Sequence, residues 1–201
     1  MSMQAVPTQA PRQFRFIAVF CGSNTGQGEA YREAAIALGT AIGQRGITLV
    51  FGGTDKGLMG VLADAAKAAG GRVHGVITRR LADKGQLHPG LDVCEVAETM
   101  QSRKARMAAL ADAFIALPGG IGTLEEFMEV WTLNQLGDLD KPAGLLDVSG
   151  YFQPLMGFID HMIAEGFLPA AHRGGVVLDP SPEALIDKLH VFERVSVPKW
   201  M

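Results

Sequence analysis

The sequence predicts one α/β domain, a doubly wound parallel sheet with helices on both faces. Three observations predict it. Apolar runs of strand length alternate with amphipathic runs of helical length along the chain. The strand runs are continuously apolar, as strands covered on both faces must be. Glycine-containing turns at 22–26, 52–57 and 119–122 follow three of these strands. In such sheets ligands sit beyond the carboxyl ends of the strands, near the point where the strand order reverses.

Phe14 to Cys21 (FRFIAVFC) is apolar and of strand length. Gly22 to Gly26 is a loop. Glu29 to Arg45 carries Ala34, Ala35, Leu38, Ala41 and Ile42 at helical spacing, and Gly46 ends it. Ile47 to Phe51 is the second strand, Gly52 to Gly57 the second glycine loop, and Leu58 to Ala69 the second helix. Arg72 to Thr78 is the third strand. Arg79 to Gly90 reads as a polar loop with three basic residues, Arg79, Arg80 and Lys84. A short strand is expected at Leu91 to Val96 and a helix at Thr99 to Ala111. Ala113 to Leu117 is the central strand, broken by Pro118-Gly119-Gly120. Gly122-Thr123 then opens a helix that runs from Leu124 to Leu136. Ala143 to Leu146 and Gly175 to Leu178 read as strands, Phe152 to Glu165 and Pro182 to Phe192 as helices. No internal repeat or interdomain linker interrupts this order. The expected organisation is a loose polar tail over 1–13, one domain over 14–193, and a C-terminal tail over 194–201.

Composition narrows the function. The chain has 201 residues, 48% of them hydrophobic, enough for a sizeable core. Eighteen basic against 21 acidic residues give a net charge of −3. That balance argues against a nucleic-acid binder, which needs a basic face. Cys21 and Cys94 are far apart and outside any CxxC, so they read as free thiols in a reducing compartment. No apolar run approaches the roughly 18 residues that span a bilayer, and the first thirteen residues lack the apolar core of a signal peptide. A cytoplasmic protein with no membrane partner is expected.

The central stretch, Asp112 to Glu129, carries the chemistry. Strand, glycine turn and helix start make an anion site. The first N–H groups of a helix lack internal partners, the dipole adds positive character, and glycine lets a phosphate approach the backbone. Glu125 and Glu126 then place negative charge beside a site built for an anion. One reading of Glu126 is structural: Thr123-Leu124-Glu125-Glu126 fits a capping box, which tolerates Gln at its last position. The other is catalytic, which does not. Arg103 and Arg106 share a helix face just before the central strand. They read either as a solvated face or as an arginine reaching a phosphate or the carboxylates near Thr123. Other chemistries fit less well. No G-x-G-x-x-G follows the first strand, and Leu58 stands where a P-loop needs Lys. No G-x-S-x-G occurs, and the five histidines are scattered. A bound phosphate beside one carboxylate suits a nucleoside monophosphate losing its base, because N-glycosidic cleavage develops positive charge on the sugar.

Pro118 to Glu126, PGGIGTLEE, resembles the PGGxGTxxE motif of the Lonely guy proteins, cytokinin riboside 5′-monophosphate phosphoribohydrolases that often carry a lysine decarboxylase label. The likeness covers most of the chain: Phe20 to Ser23, Gly57 to Gly60, Arg103-Lys104, Asp112 to Leu117 and Lys141 to Leu146 follow the family pattern in order. It implies a Rossmann-like homodimer that hydrolyses a purine nucleoside 5′-monophosphate to free base and ribose 5-phosphate, with no metal or organic cofactor. By motif position it implies that Glu126 and Arg103 are catalytic and that Gly119, Gly120, Gly122 and Thr123 form the phosphate loop. Ser23, Lys104, Glu125 and Thr132 fall where family members contact substrate. Three features depart from the pattern. Gln101 replaces the usual His, Thr54-Asp55-Lys56 intrudes into a glycine-rich loop, and Arg80 stands where some members carry Glu. These departures bear on base preference. The second reading is a non-catalytic binder of a phosphate-bearing ligand, of the molybdenum-cofactor carrier type, which shares this general fold. Arg103 and Glu126 together favour the enzyme.

Overall fold

The structure, a computed structural model, describes residues 11–195. Seven strands form one parallel sheet in the order β4-β3-β2-β1-β5-β6-β7. They are β1 Phe16–Phe20, β2 Thr48–Phe51, β3 Val73–Thr78, β4 Val93–Ala97, β5 Ala113–Ala116, β6 Ala143–Leu146 and β7 Val177–Asp179. The helices are α1 Glu29–Gln44, α2 Gly57–Ala68, α3 Arg79–Ala82, α4 Met100–Leu110, α5 Ile121–Leu136, α6 Gln153–Ala164 and α7 Pro182–His190. Strand order runs outward from β1 to β4, returns to β5 beside β1, and runs outward again. The reversal therefore lies between β1 and β5, where Ile17 pairs with Ala113 and Phe20 with Ala116.

Alternation along the strands builds two cores. Ile17, Val19 and Cys21 face one side with Leu49 and Ile115, packing on α1, α2 and α7 through Leu38, Leu62 and Leu185. Ala18 and Phe20 face the other with Val50 and Phe114, packing on α4, α5 and α6 through Met107, Phe127 and Met156. Both faces being covered explains why the strand runs are apolar without interruption.

The expected elements are present with ends shifted by a few residues. Two differences matter. The segment read as a polar loop at 79–90 begins with the one-turn helix α3, and α5 starts at Ile121, earlier than its periodic run suggests. Two 3-10 turns, Val148–Gly150 and Ala170–Gly175, carried no readable signal. Of the expected N-terminal tail, residues 1–10 lie outside the described residues. Arg12 is tied down, donating from its guanidinium to Asp140 Oδ1 at 2.8 Å and from its backbone N–H to the His190 carbonyl at 2.7 Å. Of the expected C-terminal tail, 196–201 likewise lie outside.

Candidate active site

The loops after β1, β2 and β5 meet at the sheet's reversal point and are stitched together by backbone bonds. Gly22 N–H donates to the Pro118 carbonyl at 3.1 Å, and Leu58 N–H to the Gly22 carbonyl at 3.0 Å. Glycine is needed here for close approach. A Cβ on Gly119 would lie 2.1 Å from Thr123 Oγ1, and one on Gly57 would lie 2.3 Å from the Ser23 carbonyl carbon. The loops enclose a cleft of about 410 Å³, within the roughly 300–1,000 Å³ of small-ligand sites. A second hollow of about 300 Å³, bordered by Tyr31 and Tyr151, adjoins it and shares Ser23 and Gly120.

The N-terminus of α5 opens onto this cleft. Gly120 is its N-cap and no side chain caps it. Thr123 already lies inside the first turn and is buried. The capping-box reading of Thr123 and Glu126 therefore does not hold. Glu126 turns away from the helix end, and its Oε1 accepts from Arg103 Nη1 at 2.7 Å.

Arg103 comes from α4, which is capped by Thr99 and Ser102 in a reciprocal pair. The residue is buried, only 7% exposed. Nε donates to the Val76 carbonyl at 2.8 Å, and Nη1 also meets Met100 Sδ at 3.3 Å. The β2 loop makes room for it, since a Cβ on Gly52 would stand 2.5 Å from Arg103 Nη2. Arg106, its partner on the expected helix face, instead binds Glu95 on β4, so of the two only Arg103 reaches the site.

The electrostatics follow from burial. Desolvation pushes the Glu126 carboxyl above its ordinary range, and the Arg103 charge and hydrogen bond pull it back. The buried Cys21 thiol, at the end of β1 in the same cleft, is raised by burial and by the Glu126 charge, which holds it as a neutral thiol. Lys104 lies outward of the pair, bonded to Glu125 and to Glu129 Oε2 at 3.1 Å. The Glu125 bond raises its ammonium pKa, so it stays charged.

The expected site residues thus divide. Arg103, Glu126, Ser23, Gly120, Gly122, Thr123 and Glu125 line the main cleft, and Gly119 borders the adjoining hollow. Lys104 sits behind Glu125. Thr132 is exposed on α5, roughly two turns beyond Glu125, and does not line the cleft. Gly52 and Thr54 of the second glycine loop line the cleft, as that loop's expected convergence implies, whereas Met59, Leu81, Met100 and Ile121 were given no site role from the sequence. Leu81 is carried in by α3, whose single turn has no periodic signature. Ile121 is the variable position of the glycine motif and stands 83% exposed at the cleft mouth.

Comparison with known proteins bears on this geometry. A family profile described as "Possible lysine decarboxylase" matches residues 59–189. The cytokinin riboside 5′-monophosphate phosphoribohydrolase LOG1 of Arabidopsis thaliana is 46% identical over 191 residues, 93% of this chain and 90% of that protein. The probable cytokinin riboside 5′-monophosphate phosphoribohydrolase LOGL2 of Oryza sativa subsp. japonica is 45% identical over 193 residues, 94% of this chain and 79% of that one. Among solved structures, the molybdenum cofactor carrier protein from Chlamydomonas reinhardtii aligns with a TM-score of 0.67 at 22% identity, covering 90% of this chain and 98% of that one. The molybdenum cofactor binding protein from Rippkaea orientalis gives 0.65 at 24%, covering 89% and 94%. At that identity the carriers share the fold alone. Identity near one half over nine-tenths of the chain is a closer relation, and by it the chain belongs to the family of the cytokinin riboside 5′-monophosphate phosphoribohydrolases.

Proposed function

We propose that this chain hydrolyses the N-glycosidic bond of a purine nucleoside 5′-monophosphate, of adenosine or an N6-substituted adenosine, to free base and ribose 5-phosphate. The observation that carries the reading is the buried Arg103–Glu126 pair set beside an uncapped helix N-terminus in one cleft. Phosphate and sugar need opposite charges within one nucleotide's length, and this arrangement supplies both. The N–H groups of Gly120 to Thr123 take the 5′-phosphate, with the Ser23 hydroxyl and Gly119 completing that end. As the bond between C1′ and the purine nitrogen lengthens, its electrons leave with the base and the sugar becomes cationic. The Glu126 carboxylate stabilises that cation and accepts a proton from the water that attacks C1′. The departing base takes its proton from solvent. Arg103 keeps Glu126 ionised and aimed, which the raised carboxyl pKa makes necessary.

Residues 14–193 act as one catalytic domain in this reading, and no cofactor takes part. A second copy of the chain covers the outer face of α4 and α5, where Lys104, Glu125 and Thr132 would meet substrate near a subunit boundary. The free thiols of Cys21 and Cys94 support a cytoplasmic setting, and no helix among the described residues is long and apolar enough to cross a membrane.

Release of free base from AMP and from isopentenyl-AMP, by wild type and Glu126→Gln, tests the reading. Wild type turns over one or both, and Glu126→Gln loses at least a hundredfold in kcat (about 2.7 kcal/mol or more) while staying folded. Turnover that survives in Glu126→Gln would remove Glu126 from the chemistry. A folded wild type with no turnover of either nucleotide would favour the binding protein instead.

A further inference from the structure

We propose that Tyr151 is a positioning residue for the phosphate loop: its hydroxyl locks the Gly119–Gly120 peptide so that the Gly120 N–H faces the bound phosphate. The inference rests on the nucleotide reading above.

The Tyr151 hydroxyl donates to the Gly119 carbonyl oxygen at 2.6 Å. In a planar trans peptide the carbonyl and the following N–H point in opposite directions. Anchoring the oxygen towards Tyr151 therefore fixes where the Gly120 N–H points. Gly120 is the N-cap of α5 and borders both hollows. Glycines on both sides leave this peptide little steric resistance to rotation. Rotated by half a turn, it would present a carbonyl lone pair to an anion. Elsewhere the loop is already held. Pro118 is bonded by Gly22, and Gly119 is packed against Thr123, so the carbonyl of Gly119 is the remaining point of control.

The turn that delivers Tyr151 is strained. Ser149 is the one non-glycine residue with positive φ among the described residues, at 52°, and Gly150 follows at 74°. Such backbone persists where the surrounding structure over-determines it, commonly at functional sites. Here Asp147 Oδ1 accepts from Phe152 N–H at 2.8 Å, fixing the backbone just after Tyr151. The Tyr151 ring stands edge-on to Tyr31 and Phe152, with centroids 5.8 and 5.1 Å away. These two contacts orient the ring, the residue being 40% exposed, and the hydroxyl is left to the loop.

Tyr151→Phe keeps the ring contacts and removes only the donor. KM for the nucleotide monophosphate rises about five- to tenfold, the loss expected for one hydrogen bond acting through geometry, while kcat stays within about twofold. The inhibition constant for inorganic phosphate rises by the same factor, and the melting temperature barely moves. In protein labelled with ¹⁵N-glycine, the Gly120 amide shift on phosphate titration shrinks in the variant. An unchanged KM and phosphate constant overturns the proposal. So does a kcat loss that tracks a fall in melting temperature, which marks Tyr151 as merely structural. If wild type turns over no nucleotide, the nucleotide reading itself has failed. The phosphate titration then decides on Tyr151 alone: equal binding by wild type and variant, or none by wild type, rejects it.

Discussion

Glu126 and Arg103 are buried as an ion pair, and removing either would leave an uncompensated charge. A carboxyl that is 13% exposed would be pushed towards its neutral form, and a neutral Glu126 can neither stabilise a sugar cation nor take a proton from water. On the proposed mechanism the acid limb of kcat/KM is expected to report Glu126 and to lie above the range of an ordinary carboxylate. Activity should then be lost as pH falls through that raised pKa, which a pH–rate profile checks. Gly52→Ala tests the link without touching either residue. Its backbone φ is not in the positive range, so alanine is conformationally acceptable there, but its Cβ would meet Arg103 Nη2 at 2.5 Å and Met59 Sδ at 2.7 Å. Displacing the guanidinium removes the charge that opposes the raising. The expected outcome is about a hundredfold loss in kcat/KM, as for roughly 1 Å of misplacement, with the acid limb moved to higher pH. A pH–rate profile of the folded variant checks both, and an unmoved limb would mean that Arg103 does not set the Glu126 charge.

The elements place these residues, and the sheet's order does most of the placing. β1 and β5 pair at the reversal point, so the loops that follow them converge, and α4 delivers Arg103 across that junction. This much was legible in the sequence, because strand and helix periods differ and glycines mark the turns. The helix boundary at α5 was not. Spacing offers Thr123 and Glu126 as a capping pair, but the first helical residue is set by the backbone of Gly120, and from there the Glu126 side chain faces Arg103. Tyr151 was hidden for a different reason: the strained turn at Ser149 that aims it has no periodic signal. Other glycines serve packing alone. On α1, a Cβ at Gly39 would lie 2.4 Å from the Leu62 carbonyl oxygen of α2, far from the cleft. Gly39→Ala gains up to about 1 kcal/mol in helix propensity, yet it forces two helix backbones apart, at about 1–3 kcal/mol or more. We expect a net loss of stability, seen as a fall in melting temperature of a few degrees, with KM and kcat near wild type at 20 °C. A variant that is more stable than wild type would show that the two helices yield without cost.

At the scale of the whole molecule, one edge of the sheet is less covered than the rest. Strands of a parallel sheet are covered on both faces, and β1, β2, β3, β5 and β6 are almost wholly buried. β4 is not: Val93 and Val96 are 36% and 42% exposed, and Met100 at the start of α4 is 44% exposed. Ile121 stands more exposed still, at the mouth of the cleft. The cleft walls include Met100 and Ile121, so part of the exposed apolar surface belongs to the site. A second copy seated on this edge would bury these side chains and bring its own groups towards the substrate. Light scattering should then give twice the 21.4 kDa chain mass. Val96→Asp should shift the mass to that of one chain, because a carboxylate cannot be buried there unpaired. Nucleotide turnover should fall with the dimer fraction, and raising the protein concentration of the variant should restore both together. A wild-type mass of one chain at full activity would show that the cleft is complete in a single copy.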